Sequence, residues 1–216
     1  MNRIRGTTLG EPMIKLHGMR LSGHSHRVEL FLSLLKLPFE YVEVDLLSRQ
    51  HKTPEFIEMN CFGQVPVLQD GDVTLGDSNA ILVYLDARYG ERRWMPRDVL
   101  AAAQVQRWLS VAAGQLAFGP AAARVIQLFK RPDDPAPAIA RSHALLAVME
   151  GELGKREWLA APEPTLADIA LYSYTAHAPE GNVSLDDYPN VRAWLARIEA
   201  LPGFVPMKVS PVGLRA

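Results

Sequence analysis

Cys61 is the one cysteine among 216 residues. An intramolecular disulfide framework is thereby excluded, and a single thiol fits a reducing compartment, so the cytoplasm is the expected location. An excess of charge of either sign is also missing. With 23 Lys and Arg against 24 Asp and Glu, the formal net charge is −1 at pH 7. The clustered cations that grip a phosphate backbone are not there, and nucleic acid is not an expected partner. No uninterrupted apolar run approaches the ~20 residues of a membrane helix, so no membrane role is expected. Residues 1–12 carry Arg3 and Arg5 but no apolar stretch of signal type, and they read as a flexible extension. The six histidines show no metal-ligand spacing, and no metal is expected.

What is present is the balance of a globular protein with a core, 48% hydrophobic and 22% charged. The period of the pattern changes along the chain. Met13 to His17 alternates apolar and polar, a strand signal; Val28, Phe31, Leu32 and Leu35 recur at helical spacing before Pro38; Tyr41 to Val44 is strand again. This is a βαβ unit, whose crossover should be right-handed. Thr53-Pro54-Glu55 opens a capped helix. Val65 to Leu68 and Val73 to Leu75 flank Asp70-Gly71 as a hairpin, and Asp77-Ser78 opens a helix through Ile81, Leu82, Leu85 and Tyr89. Residues 13–89 therefore read β-α-β-α-β-β-α. Residues 90–97 read as a polar linker, and residues 98–216 as all helix. Val105, Trp108, Leu109 and Ala112 form one stripe there, Val191, Trp194, Leu195 and Ile198 the last, and Thr165 with Asp168 a capping box. The fold class is α/β followed by all-α.

Three segments carry a resemblance: 50–56 (Gln50-His51-Lys52-Thr53-Pro54-Glu55-Phe56), 60–68 (Asn60 through Gly63-Gln64-Val65-Pro66 to Leu68) and Asp77-Ser78-Asn79-Ala80-Ile81. With Trp158-Leu159 and Thr165-Leu166-Ala167-Asp168 they resemble the cytosolic glutathione S-transferases, especially bacterial, theta-, zeta- and nu-like members of serine type. The resemblance implies a thioredoxin-like first domain, a helical second domain, glutathione as co-substrate and a homodimer. It implies a cis Val65–Pro66 bond that turns the Val65 backbone toward the cysteinyl part of glutathione. Ser78 and the free N–H groups at its helix start would take the γ-glutamyl carboxylate. Asp77 would hold the ammonium, serve as N-cap, or do both. His51, Lys52 and Gln64 match the positions that hold the glycine carboxylate.

The loop at residues 19–27, Met19-Arg20-Leu21-Ser22-Gly23-His24-Ser25-His26-Arg27, contains no sulfur nucleophile. Dithiol exchange there is excluded. Counted back from Arg27, Ser22 falls on the serine of zeta-like enzymes, whose hydroxyl stabilises the glutathione thiolate. A free thiol titrates near ~8.5, and lowering it by ~2 units needs about 2.7 kcal/mol. One charge-assisted hydrogen bond of ~1.5–3 kcal/mol plus a helix N-terminus of ~0.3–1 kcal/mol suffices. Ser25 is the substitute if Ser22 fails, with helix capping as its plainer role. His24 either donates to the sulfur or faces solvent, and His26 is expected to face solvent. Cys61 is discounted as a nucleophile and Arg20 reads as a surface residue. Trp108, Val111, Gln115 and Phe118 are expected near the mouth of the pocket for a hydrophobic electrophile. Conjugation is the leading reading. A nu-like glutathione-dependent disulfide reductase and a non-catalytic glutathione-binding scaffold are the alternatives.

Overall fold

The computed structural model describes residues 13–216; the extension read at 1–12 lies outside the described residues. Strands β1 (Ile14–Gly18), β2 (Phe39–Glu43), β3 (Val67–Asp70) and β4 (Val73–Gly76) form one sheet in the order β2-β1-β3-β4. β1 runs parallel to β2, with Ile14 opposite Phe39, and antiparallel to β3, with Leu16 opposite Leu68. β3 and β4 form the hairpin, Leu68 opposite Leu75. The parallel pair needs a crossover, which α1 (Gly23–Leu34) supplies, whereas the hairpin needs only its two-residue Gly71-Asp72 turn.

The sheet is covered on both faces. Val28, Phe31 and Leu32 of α1 and Ile81, Leu82 and Leu85 of α3 (Ser78–Tyr89) bury against Leu16 and Leu68. On the other face Phe56 of α2 (Pro54–Met59) packs with Val44 and Val67 in a small separate cluster. Thr53 caps α2 with Pro54 at its first position. The strand expected from Val65 starts two residues later, because Val65–Pro66 is the cis bond that the resemblance implied.

Beyond residue 98 the described chain is helical. α4 (Val99–Val111) continues through a stretch of wider i→i+5 turns, Ala112–Ala121, into α5 (Ala122–Leu128). The whole, Val99–Leu128, is long and apolar enough to cross a membrane, with a mean hydropathy of 1.3 over its most apolar window. The interrupted apolar pattern did not suggest this. One face of it packs into the main core through Val105, Trp108, Leu109, Ala112 and Leu116, and 44% of that window is buried. α6 (Ala136–Leu153), α7 (Leu166–Ala176) and α8 (Pro189–Glu199) complete the bundle, and every residue of α7 is buried.

The α7 capping box is complete and does more than cap. The Asp168 carboxylate accepts from the Thr165 N–H (2.8 Å) and hydroxyl (3.0 Å), the Leu159 N–H (3.0 Å) and the Trp194 indole N–H (2.9 Å). One buried carboxylate thus ties the entry of α7 to α8. Burial pushes its pKa up, and the four donors oppose that shift. Asp168→Ala leaves these donors unmet, at about 1–3 kcal/mol for each that finds no water. A loss of about 3 kcal/mol or more is expected in urea unfolding, with Thr165→Ala costing about 1 kcal/mol.

Candidate glutathione site at the seam of the two halves

Ser22 ends the loop after β1 in extended backbone (φ −89°, ψ 120°) and caps α1, its Oγ accepting from the Ser25 N–H at 3.3 Å. An acceptor role leaves the hydroxyl proton free. Ser25 is buried and turned inward, its own Oγ accepting from the Met19 N–H at 3.2 Å. The expectation that Ser25 caps the helix is corrected, because the cap position falls three residues earlier. Next to Ser22, the His24 ring meets Tyr174 edge-on at 5.0 Å, and Nδ1 lies 3.4 Å from the Ser78 Oγ. Burial, aided by the Arg27 charge, lowers His24 to about 3, so the ring is neutral at physiological pH.

Behind this loop sits a buried cation. Arg27 is 1% exposed, and its Nη1 donates to the Ser78 Oγ at 2.7 Å and the Asn79 Oδ1 at 2.8 Å. Its Nε and Nη2 have no partner among the described residues. Burial lowers it to about 10, which leaves it charged at pH 7. Asn79 passes the connection on, donating to the Leu109 carbonyl of α4 at 3.1 Å. Because Arg27 occupies a lone pair of Ser78, the Ser78 O–H is free to turn to His24 Nδ1. This assigns the ring proton of His24 to Nε2.

Ser22 and His24 line a cavity of about 420 Å³ together with His51, Lys52, Gln64 and Val65. His51 and Lys52 lie on a short 3-10 turn, Gln50–Lys52. Lys52 is held across the cis-proline loop, Nζ donating to the Gly63 carbonyl at 2.8 Å. Gly63 has φ +55°, and a Cβ there would stand 2.8 Å from the His51 carbonyl oxygen, so glycine is required. The His51 Nδ1 is buried without a partner, and burial, then Lys52 and Arg49, lower its pKa. Asp77 caps α3 through the Ala80 N–H at 2.9 Å, in a left-handed conformation (φ 69°) that a non-glycine residue seldom adopts. It lines a separate groove of about 300 Å³ with Asn79, Val83, Gln106 and Ser110. The other wall of the main cavity comes from the helical half: Arg124, Val125, Phe129 and Tyr174.

Two family profiles match the chain, "Glutathione S-transferase, N-terminal domain" over residues 16–93 and "Glutathione S-transferase, C-terminal domain" over 113–202. Glutathione S-transferase 3 of Zea mays is 37% identical over 204 residues, spanning 88% of this chain and 91% of its own. The chain belongs to the glutathione S-transferase family. Among solved structures, a possible glutathione S-transferase of Rhodopseudomonas palustris is 34% identical, with a TM-score of 0.83 over 93% of this chain and 100% of its own. A glutathione transferase homolog of Drosophila mojavensis, solved with bound glutathione, is 28% identical, with a TM-score of 0.81 over 88% and 89% of the two chains.

Within this family member, Ser22, His24, His51, Lys52, Gln64 and Val65 share one cavity, with Ser78 one hydrogen bond behind it. The expected electrophile wall is placed differently. Trp108 is 3% exposed in the core, Val111 packs half-buried against that core, Gln115 and Phe118 are exposed, and none of the four lines the cavity. Trp108 and Val111 belong to the packed face of α4; for Gln115 and Phe118 the wide turns after Val111 are the reason. A 3.6-residue stripe extrapolated through i→i+5 turns comes out on the wrong face, and the cavity is met further on, at Arg124, Val125 and Phe129. Arg27, Arg124 and Tyr174 were missed. For Arg124 a signal existed, a lone charge in the apolar stretch 116–126.

His26 is also corrected. It is buried, with Nδ1 2.9 Å from the Ser173 Oγ of α7 and Nε2 2.9 Å from the Val205 carbonyl, so it joins α1 to the helical half. Burial lowers it to about 4, against a raising effect of the Val205 carbonyl and a lowering one of His177. The unfolded chain takes up this proton near pH ~6.5 and the folded chain only near 4, so folding weakens as pH falls through that window. Urea midpoints at pH 7 and pH 5 are expected to differ less in His26→Gln than in the parent.

Proposed function

We propose that this transferase stabilises the thiolate of glutathione through the Ser22 hydroxyl, for attack on a hydrophobic electrophile held at the helical end of the cavity. Glutathione transferase activity follows from family membership. The observation that carries the serine assignment is the Ser22 cap: Oγ accepts from a backbone N–H, so its proton is left over for the sulfur, in a cavity walled by both halves of the chain. The first turn of α1 adds its dipole, and the neutral His24, protonated on Nε2, is a second donor. A lone pair of the thiolate forms the new C–S bond while the electrophile's leaving group departs with its bonding electrons.

The rest of the tripeptide is read outward from that sulfur. The Val65 backbone pairs with the cysteinyl unit as an added strand. The γ-glutamyl carboxylate lies at the start of α3 by Ser78, above Arg27, whose buried charge has no carboxylate of its own. Asp77 takes the ammonium while capping α3, and His51, Lys52 and Gln64 take the glycine carboxylate. Residues 13–89 form the glutathione-binding domain, 90–97 the linker and 98–216 the helical domain. The protein is read as soluble, cytoplasmic and homodimeric. The groove along Asp77, Val83 and Gln106 is read as the surface for a second copy. Light scattering should give the mass of two chains; the mass of one would overturn the dimer.

Thiolate ultraviolet absorbance of enzyme-bound glutathione, titrated with pH, tests the mechanism. The parent should lower the thiol pKa by about 2 units, and Ser22→Ala should return it toward ~8.5. His24 should give no inflection above pH 4. The lost cap costs Ser22→Ala about 1 kcal/mol of stability, so it is assayed well below its melting point. Full turnover in Ser22→Ala would remove the serine from the mechanism. Binding without a lowered pKa would point to disulfide-directed chemistry.

A further inference from the structure

The helical wall of the cavity carries a charge that thiolate stabilisation does not use. Arg124, in α5, is 1% exposed and lines the cavity beside Leu21, Val125, Phe129 and Tyr174. Its Nε donates to the Glu180 Oε2 at 2.6 Å and its Nη1 to the Leu21 carbonyl at 2.6 Å. Its Nη2 is buried with no partner among the described residues.

The charges around it do not balance. Glu180 accepts from Arg124, from Arg215 Nη1 at 3.3 Å, from His177 Nδ1 at 2.6 Å and from the Ser210 N–H at 3.1 Å. Burial would raise its carboxyl, but the hydrogen bonds of His177, Ser210 and Arg124 outweigh it and take Glu180 to about 2, so it is an anion. One carboxylate thus faces two guanidinium groups. The surplus is one positive charge, screened on the side of Arg215, whose side chain is 31% exposed, and the unfilled donor is on the residue that reaches the cavity. A buried cation with an unmet N–H is costly, and an anion arriving in the cavity relieves both deficits. The neighbours Leu21, Val125, Phe129 and the Tyr174 ring suit an apolar body for that anion. The carboxylates of glutathione are assigned to Ser78 with Arg27 and to His51 with Lys52, and so are engaged elsewhere.

We infer that Arg124 is a specificity-determining residue that selects electrophiles bearing a carboxylate on an apolar body. This rests on the transferase reading of the cavity. Leu21, the residue Arg124 holds, precedes Ser22, so a carboxylate on Nη2 orients the electrophile beside the thiolate.

The test compares 4-(chloromethyl)benzoate with benzyl chloride, in the full chain with saturating glutathione and after subtracting uncatalysed rates. In both, sulfur forms the C–S bond at the benzylic carbon, the C–Cl bond breaks, and chloride leaves with the electron pair. The parent should favour the carboxylate in kcat/KM by about 10- to 100-fold, the range of a charge-assisted hydrogen bond. Arg124→Gln should erase that preference mainly by raising KM, and Arg124→Lys should keep part of it. A merely structural Arg124 would slow both substrates alike, and that result, or no preference in the parent, overturns the inference while leaving the transferase reading intact. If neither chloride is turned over, that reading fails instead. Calorimetry on the glutathione-loaded protein then decides the anion site alone: binding of 4-methylbenzoate but not of 4-methylbenzyl alcohol upholds it, and equal heats overturn it. The same calorimetry on the parent decides if the Arg124 variants do not fold.

Discussion

The site depends on one buried guanidinium. Arg27 belongs to α1, holds Ser78 and Asn79 at the start of α3, and through Asn79 reaches the Leu109 carbonyl of α4. Three elements from both halves are fixed by one side chain. It brings together the N-termini of α1 and α3, each with unfilled N–H groups and the positive end of a helix dipole. Two such ends beside a buried cation repel each other, and an anion between them removes the repulsion. A chain with a net charge of −1 therefore still has a strongly anion-seeking point.

The seam between the halves is closely packed around the Ser22 loop. The Tyr174 ring of α7 lies against Gly23, where any Cβ would stand 2.8 Å from it. His26 reaches across to Ser173 and Val205, and Arg124 reaches back to Leu21. Every residue flanking Ser22 is thus held from the helical half. The loop that carries Ser22 is held on both sides by these contacts, which suits the proposed hydrogen bond to one sulfur.

The parts legible in the sequence were those whose causes are local. Alternation gave β1, the Asp70-Gly71 pair marked the hairpin, and Thr53-Pro54 and Thr165-to-Asp168 announced helix starts whose hydrogen bonds span three residues. Ser22 and Val65, which line one cavity, were singled out by register within a familiar segment order, a kind of information that composition does not hold. What escaped was long-range. His26 finds its partners 147 and 179 residues away, Arg27 finds Ser78 51 away, and Arg124 finds Leu21 103 away. A polar residue one place from a loop looks solvated until its partner is known. The wide turns of Ala112–Ala121 defeated the helical stripe for a different reason, since the sequence pattern assumes a period that the backbone does not keep.

Arg27 and Arg124 share an unusual state, buried cations that keep unfilled N–H groups. They differ in what offsets the charge. Arg124 has Glu180 at 2.6 Å, and the carboxylate is itself shared with Arg215; Arg27 has only hydroxyl and amide oxygens within hydrogen-bond reach. A buried cation with no carboxylate favours an anion at the helix start it holds, which suits the proposed placement of the γ-glutamyl carboxylate there. A cation half-neutralised by Glu180 has less attraction to spend on long range, and what remains is the direction of a single N–H. Discrimination at Arg124 therefore rests on geometry more than on charge, which is the property a site for the variable substrate needs.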